Sequence, residues 1–235
     1  MVRSRILIAI PCLNEAENIA GVLSGTIAFA SSNQNSIDVL VLNDGSTDET
    51  FKIIQEQTKN IINLPFNIGI SQVFQLAVRV ADELNYDFLV IIDGDGQHPV
   101  AEVAKLLSVA DPATYIIGAR NFQTYPFTKT KKIAISIIRM LLKIRFGISL
   151  TDPTSGLRVV PKACFDQIQN LKNATNYLED TVLIFPLLQH SKVVCREVEV
   201  NMTIRRGGKA SSTGLNNILN YLSLVGKLLI SKRKR

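Results

Sequence analysis

The sequence predicts an α/β domain built on a mainly parallel, twisted sheet flanked by helices, and three observations predict it. Short apolar runs rich in β-branched residues alternate with segments of helical period through the first half. Polar, glycine-containing stretches follow several of those runs, where parallel α/β sheets collect ligands beyond the carboxyl ends of their strands. The chain has 235 residues, 46% hydrophobic and 20% charged, which suits one substantial core and excludes a disordered or collagen-like chain.

Taken in order, Arg5–Ile10 reads as the first strand, because the apolar run in MVRSRILIAIPCLNE is too short for a signal peptide. Ile37–Leu42, Phe88–Ile92 and Tyr115–Ala119 read as further strands, the first two unbroken enough to be buried on both faces. Helices are expected near Glu17–Phe29, Thr47–Gln57, Ser71–Leu84 and Val100–Val109, with Asn14 capping the first and Ser46 or Thr47 the second. Beyond residue 130 come a cationic helix (131–146), the turn-rich TDPTSGLR, helices near 161–170 and 178–190, an alternating strand Val193–Val200, a loop over 205–213 and a terminal helix. Phe74 and Tyr115 are read as core, and His98 and His190 as structural. Cys12, Cys164 and Cys195 are odd in number and in no C-x-x-C pair, which points to a reducing compartment and away from a disulfide scaffold.

The net charge of +6 hides an asymmetry. Residues 1–128 carry 7 Lys+Arg against 14 Asp+Glu, a balance of −7, while residues 129–235 carry 19 against 6, a balance of +13. The first half is therefore expected to handle a cation and the second to meet something anionic. A nucleic-acid partner is disfavoured, since the basic half lacks interleaved aromatics and any recognisable DNA- or RNA-binding motif.

The most informative segment is Asp93-Gly94-Asp95-Gly96-Gln97. Two carboxylates within three residues at a strand end repel each other unless a cation or hydrogen bonds compensate. Mg²⁺ or Mn²⁺ fits oxygen ligands of this kind and commonly shares its shell with substrate phosphates. The same segment also reads as a solvated acidic turn, with Gly94 and Gly96 supplying the bend. Asp44 follows the second strand, where a carboxylate can accept from a nucleobase N–H or a ribose hydroxyl. An ordinary strand–turn–helix cap explains Ser46 or Thr47 there but not Asp44.

The segments IPCLNEAENI, VLNDGSTDET, LPFNIGIS, IIDGDGQHP, IIGAR, TDPTSGLR and RRGGKASS occur in the order found in family 2 glycosyltransferases with the GT-A fold. Over about residues 5–213 the chain resembles the branch holding the dolichol- and polyprenol-phosphate sugar synthases and bacterial surface-polysaccharide transferases. The resemblance implies a Rossmann-like GT-A domain over 1–213, with 1–128 handling nucleotide and metal and 129–213 the acceptor, followed by an amphipathic basic helix over 214–235. It implies a nucleoside-diphosphate sugar donor, Mg²⁺ or Mn²⁺, inversion at the anomeric carbon, and a lipid-linked acceptor such as a polyprenyl phosphate or lipid-linked saccharide.

Carried over to this chain, the resemblance puts Pro11, Leu13 and Glu15 beside the nucleoside, Asp44 at the base or ribose, and Asn67 and Gly69 in the nucleotide pocket. Asp93 and Asp95 would serve the ribose and the metal–diphosphate, and Gln97 would complete the metal shell. Arg120 and Arg158 would face acceptor or diphosphate, and Arg205 and Lys209 would close over the leaving phosphates. Where relatives often have two acids this chain has Asn43-Asp44, and Ala119 stands where serine often precedes the arginine; neither change removes the carboxylate or guanidinium. Glu179 and Asp180 are the candidate bases if the acceptor is a hydroxyl, Asp180 preferred; they also read as an acidic helix start stabilised by the macrodipole.

No run reaches about 18 apolar residues, so no spanning helix is expected. Lys131–Arg145 nevertheless has five basic residues and no acid, with Ile133, Ile137, Leu141 and Ile144 at helical spacing. Leu215, Ile218, Leu222, Val225 and Leu229 repeat the theme. Each reads either as a core helix with a solvated basic face or as an interfacial helix on an anionic membrane. The expected location is therefore cytoplasmic and peripheral, at the inner face of the cell membrane. Two other functions fit parts of the pattern. A sugar nucleotidyltransferase would carry a glycine-rich loop with a basic residue after the first strand, which PCLNEAENI lacks. A non-catalytic nucleotide-sugar or membrane-surface module would not need DGDGQ and Glu179–Asp180 intact.

Overall fold

The computed structural model describes residues 4–171, 177–188, 192–203 and 215–230. Among them the chain forms β1 (Arg5–Cys12), α1 (Ile19–Ser32), β2 (Ser36–Asn43), α2 (Thr50–Gln57), β3 (Ile61–Asn63), α3 (Ile70–Glu83), β4 (Phe88–Ile91), α4 (Val100–Leu107) and β5 (Thr114–Arg120). The second half adds α5 (Lys129–Phe146), β6 (Arg158–Pro161), a 3-10 turn (Lys162–Cys164), α6 (Phe165–Gln169), α7 (Tyr177–Leu188), β7 (Val194–Val200) and α8 (Leu215–Ile230).

The strands make one seven-stranded sheet in the order β3-β2-β1-β4-β6-β5-β7. The pairs β2–β3, β1–β2, β1–β4 and β5–β7 are parallel; β6 alone runs against its neighbours β4 and β5. Helices cover both faces. Ile19 and Leu23 of α1, Ile54 of α2 and Val103 and Leu106 of α4 pack on one side, with Ile6, Ile8 and Val90. Val73, Phe74 and Ala77 of α3, Ile138 and Leu142 of α5, Ile168, Phe185 and Leu224 pack on the other, with Leu7, Leu89 and Tyr115. Burying each such large apolar side chain is worth about 1.5–3 kcal/mol.

The antiparallel strand decides where the active edge lies. A strand running against parallel neighbours begins where they end, so the TDPTSG segment before β6 arrives at the carboxyl edge beside Asp93 and Arg120. β6 escapes the sequence reading because only four residues, RVVP, make it up, and the periodicity around them is helical. β3 is missed for the same reason, being three residues long. β2 is not buried on both faces as expected: Ser36 and Asp38 are exposed, and continuous burial begins at Val41.

The expected caps also differ. Helix α1 starts at Ile19 and α2 at Thr50, and neither uses Asn14, Ser46 or Thr47 as its cap. Those three side chains are spent on loop-to-loop bonds at the carboxyl edge. Helix α5 is the well-capped one: the Thr128 hydroxyl accepts from Lys131 N at 3.3 Å, and Gly147 (φ +69°) closes its end by donating to Lys143 O.

Candidate active site

The loop after β4 packs directly on the loop after β1. Gly94 N donates to Pro11 O at 3.2 Å, and a side chain at Gly94 would put its Cβ 2.9 Å from Cys12 Cβ. Glycine is therefore required by close approach. Behind the loop, His98 is buried, and its Nδ1 accepts from Asp93 N at 3.0 Å. That bond leaves the ring proton on Nε2, which lies 3.7 Å from Asp93 Oδ2. Burial pushes the His98 imidazolium down to about 4, so the ring is neutral, structural as expected, and holds Asp93 by its backbone. Gly156 also closes on this carboxylate and ring: a Cβ there would stand 3.1 Å from Asp93 Oδ2 and 3.6 Å from His98 Cε1.

Asp93, Asp95 and Gln97 are each half-buried, at the rim of the sheet. Asp95 Oδ1 accepts from Gln97 N at 3.0 Å, and Gln97 Nε2 donates to the Tyr125 hydroxyl at 3.4 Å. The chain leaving β7 is laced onto this corner, with Thr203 N donating to Gln97 O at 3.0 Å and the Thr203 hydroxyl to Gly96 O at 2.8 Å.

The loops after β1, β2 and β3 form a second lattice at the same edge. Asn14, at φ +54°, accepts from Thr47 N at 2.8 Å through its side chain and donates its own N–H to the Ser46 hydroxyl at 2.9 Å. Glu15 N donates to the Thr50 hydroxyl at 2.7 Å, and the Glu15 carboxylate accepts from the Asn18 amide at 3.0 Å. Asp44 is buried, and its two oxygens take Ile68 N at 2.7 Å and Gly69 N at 3.0 Å. Burial still raises its carboxyl above the ordinary range, against the pull of those two donors. Gly45 is fixed by contact: at φ +69°, a Cβ would meet the Phe66 carbonyl carbon at 2.4 Å. Asp44 thus binds the 68–69 backbone, while Pro11 is buried, Leu13 half-buried and Asn67 exposed beside it.

On the other flank, Arg120 ends β5 and makes a two-pronged ion pair with Asp152, Nε to Oδ2 at 2.5 Å and Nη2 to Oδ1 at 2.9 Å. Asp152 is fully buried; it also accepts from Arg120 N and from the Thr154 hydroxyl. Burial alone would raise its carboxyl, but Arg120 outweighs that and holds it below the usual carboxylate range. The guanidinium lies 4.8 Å from the Phe127 ring centre and 5.4 Å from that of Tyr125. The Lys131 ammonium approaches the same Phe127 ring at 5.6 Å, and burial, with Arg120 next, pushes it down to about 8.

The expectation that Arg158 faces a ligand needs correction. Arg158 is fully buried in β6; its guanidinium donates to Ser155 O at 2.7 Å, Pro153 O at 2.8 Å and the Tyr115 hydroxyl at 3.0 Å. It clamps the TDPTSG loop from inside. Tyr115 and Phe74 are core, as expected. Glu179 and Asp180 fall in the first turn of α7, but their side chains lie outside the described residues. Arg205, Lys209, the 205–213 loop and His190 lie outside them entirely. Sequence reasoning missed Asp152, Tyr125 and Lys131 as site residues. Asp152 was within reach, standing inside TDPTSGLR, whereas Lys131 was absorbed into the cationic pattern of its helix.

The mainly parallel sheet gathers acidic, glycine-bent loops and a buried Arg–Asp pair on one carboxyl edge, the edge at which doubly wound α/β folds collect ligands. The chain belongs to glycosyl transferase family 2, whose model matches residues 7–168. Over 197 residues it is 28% identical to the UDP-N-acetylglucosamine–dolichyl-phosphate N-acetylglucosaminyltransferase of Methanococcus voltae, covering 73% of this chain and 75% of that one. Over 187 residues it is 24% identical to the undecaprenyl-phosphate 4-deoxy-4-formamido-L-arabinose transferase of Salmonella paratyphi A, covering 77% of this chain but only 56% of that protein's length. The fold superposes with a TM-score of 0.69 on glucosyl-3-phosphoglycerate synthase from Mycobacterium tuberculosis, solved with Mg²⁺ and UDP, at 16% identity over 97% of this chain and 81% of that one. The GT-A-like architecture expected from the sequence is the one observed.

Proposed function

We propose that this protein is an inverting glycosyltransferase that moves a sugar from a nucleoside-diphosphate sugar to a polyprenyl phosphate, in the synthesis of cell-surface polysaccharide or glycolipid. The observation that carries the reading is the meeting, on one sheet edge, of half-buried Asp93 and Asp95 with the cations Arg120 and Lys131. Support for the acceptor class comes from the two relatives, whose names specify dolichyl phosphate and undecaprenyl phosphate.

Mg²⁺ or Mn²⁺ fits the donor set. Asp93 and Asp95 offer hard oxygen ligands, and no group of three or more His, Cys, Asp or Glu among the described residues could hold an ion alone. A cation there would complete its shell with substrate oxygens, as these ions commonly do, with Gln97 the neighbouring neutral donor. When bound, it would neutralise the diphosphate as negative charge gathers on it. The protein's own contribution is orientation. The Asn14–Thr47 and Asp44–Gly69 lattices fix the loops carrying Pro11, Leu13, Glu15 and Asn67 that would border the nucleoside. His98 and Gly156 fix Asp93. Groups that stabilise the departing diphosphate more than the bound donor accelerate transfer, and the family resemblance of RRGGKASS assigns that task to Arg205 and Lys209, which lie outside the described residues.

A phosphate acceptor is already ionised and needs no base. Asp180→Asn is therefore expected to keep kcat within a few-fold of wild type in a transfer assay with undecaprenyl phosphate and a panel of nucleotide sugars. A hundredfold loss or more would show that Asp180 is needed even with an ionised acceptor and would contradict the base-free reading.

No helix of the described residues is long and apolar enough to cross a membrane. Helices α5 and α8 pack together, yet each also turns apolar residues outward: Ile133, Ile137, Met140 and Ile144 on one, Leu219, Leu222, Leu229 and Ile230 on the other. The expected stripes need adjustment, since Leu141 is buried, Val225 half-buried, and Met140 and Leu219 take the outward places. Apolar rows beside Lys132, Arg139 and Lys143 suit peripheral binding to the inner face of the cell membrane. Cosedimentation with phosphatidylglycerol vesicles at low salt should exceed that with phosphatidylcholine vesicles. Equal or no sedimentation would contradict membrane contact.

A further inference from the structure

Aspartate is short, with few torsions between backbone and carboxylate, so the Asp152 carboxylate goes where the 151–152 backbone is held. That backbone is held from β7. Glu197, half-buried on this edge strand, spends both carboxylate oxygens on it. Thr151 N donates to Oε1 at 2.8 Å and to Oε2 at 2.7 Å, the Thr151 hydroxyl donates to Oε2 at 2.9 Å, and Asp152 N donates to Oε1 at 2.8 Å. Successive N–H groups aimed at one anion make a concave seat, and hydrogen bonds to an ionised acceptor are the stronger kind. Among the described residues no lysine or arginine nitrogen stands within 4.0 Å of Glu197, so this carboxylate is not spent on an ion pair.

The rest of the TDPTSG loop has other anchors. Arg158 donates to Pro153 O and Ser155 O from inside, and the Ser155 hydroxyl donates to Gly118 O at 2.6 Å. In the sheet register Ile117 of β5 lies between Glu197 of β7 and Arg158 of β6, so the loop is tied from the strands on either side of β5. Arg158 holds its later residues, and Glu197 holds Thr151 and Asp152, the part that carries the partner of Arg120. Asp152 then takes Arg120 Nε, Nη2 and backbone N, while Nη2 also reaches the Thr154 hydroxyl at 3.2 Å. These bonds leave Nη1 as the edge of the guanidinium with no acceptor among the described residues. The direction of that edge is set by a chain that begins at Glu197.

We infer that Glu197 is a positioning residue for transfer: by seating the Thr151–Asp152 backbone it sets the Asp152 carboxylate, which aims the Arg120 guanidinium at the anionic substrate. The inference rests on the glycosyltransferase reading above, which gives Arg120 its task; the placement of Arg120 by Glu197 is observable without any substrate. A misplacement of about 1 Å in a group that acts on the reacting centre costs on the order of a hundredfold in rate, so a brace two residues removed from the chemistry matters to it.

The test compares three variants of the full chain at a temperature where circular dichroism shows each folded. Glu197→Ala should lower kcat/KM for sugar transfer at least about tenfold. Its affinity for whichever of UDP, GDP or dTDP the wild type binds with Mn²⁺ should stay within about twofold, because the loops after β1, β2 and β4 make no bond to Glu197. Glu197→Gln should return kcat/KM to within about threefold of wild type, since its Oε1 can accept from both N–H groups while its amide meets the Thr151 hydroxyl. Glu197→Asp keeps the charge but falls one methylene short, and should behave as Glu197→Ala. In protein labelled with ¹⁵N-arginine, the Arg120 Nε–H, identified by its loss in Arg120→Lys, should exchange at least about tenfold faster in Glu197→Ala and Glu197→Asp than in wild type or Glu197→Gln. Unchanged kcat/KM and Nε–H exchange beside a lowered urea midpoint would make Glu197 a structural tie only and overturn the inference. So would rescue by Asp but not by Gln, which would assign the effect to charge and not to seating. Should Glu197→Ala fail to fold, the contrast of Gln with Asp decides between the same outcomes. Wild-type enzyme that transfers sugar to no acceptor would overturn the functional reading instead, and the Nε–H comparison would still decide whether Glu197 places Arg120.

Discussion

Asp95→Ala should reduce sugar transfer at least about a thousandfold while the protein still folds. The magnitude follows from placement. Asp95 is a half-buried carboxylate at the end of β4, on the edge where the β1, β2 and β3 loops converge. Loss of a ligand to a cation that neutralises a leaving diphosphate acts on the transition state more than on the bound donor, so kcat falls and not merely affinity. The structural cost is small, because the Asp95 bond to Gln97 N is local and worth about 1 kcal/mol. Wild-type turnover by a purified, folded Asp95→Ala protein would refute the assignment of this corner.

Asp152→Ala should act on stability first. Asp152 is fully buried and is the carboxylate that compensates Arg120, itself 9% exposed. Removing one partner of a buried pair leaves the other charge desolvated and costs about 3–5 kcal/mol. The urea midpoint at neutral pH should fall accordingly. A double variant, Asp152→Leu with Arg120→Met, should recover much of the stability without recovering transfer, which separates the fold from the chemistry. The pH dependence has a definite sign. The folded Asp152 carboxyl is held below its unfolded value near 3.9, so its stabilisation is fully present above about pH 4 and is lost as acid takes the pH down through the folded value. Asp152→Asn should therefore flatten the acid limb of the stability curve. An acid limb as steep as wild type would contradict the pairing.

Much of this edge was legible in the sequence, because the physics that places it is local. Strands β1, β4 and β5 announce themselves as apolar runs, and the loops after them carry Pro11, Asp93 and Arg120 wherever the sheet goes. The antiparallel β6 was not legible, since a four-residue strand takes its conformation from the neighbours that pair with it and not from its own pattern. Arg158 is hidden for the same reason: an arginine beside a turn reads as ligand-facing, whereas here it opens β6, which turns it inward toward Tyr115 and Phe185. The polar residues after β2 read as helix caps in the sequence because capping is a short-range rule. Asn43, three residues back, is a local partner of Ser46, but the partner that Ser46 and Thr47 share, Asn14, follows the neighbouring strand β1 and only the parallel register brings it close. The outward row on α5 needed the core direction before Met140 could be told from Leu141.

The central claim is that the Asp93–Asp95 corner and the adjoining loops hold a nucleoside diphosphate together with a divalent ion. Electron paramagnetic resonance of Mn²⁺ with the purified protein and UDP, GDP or dTDP tests it most directly. The account predicts that at least one nucleotide binds and draws Mn²⁺ into a protein-bound signal, lost in Asp95→Ala. Nucleotide binding that is indifferent to Mn²⁺ and survives that substitution would contradict it.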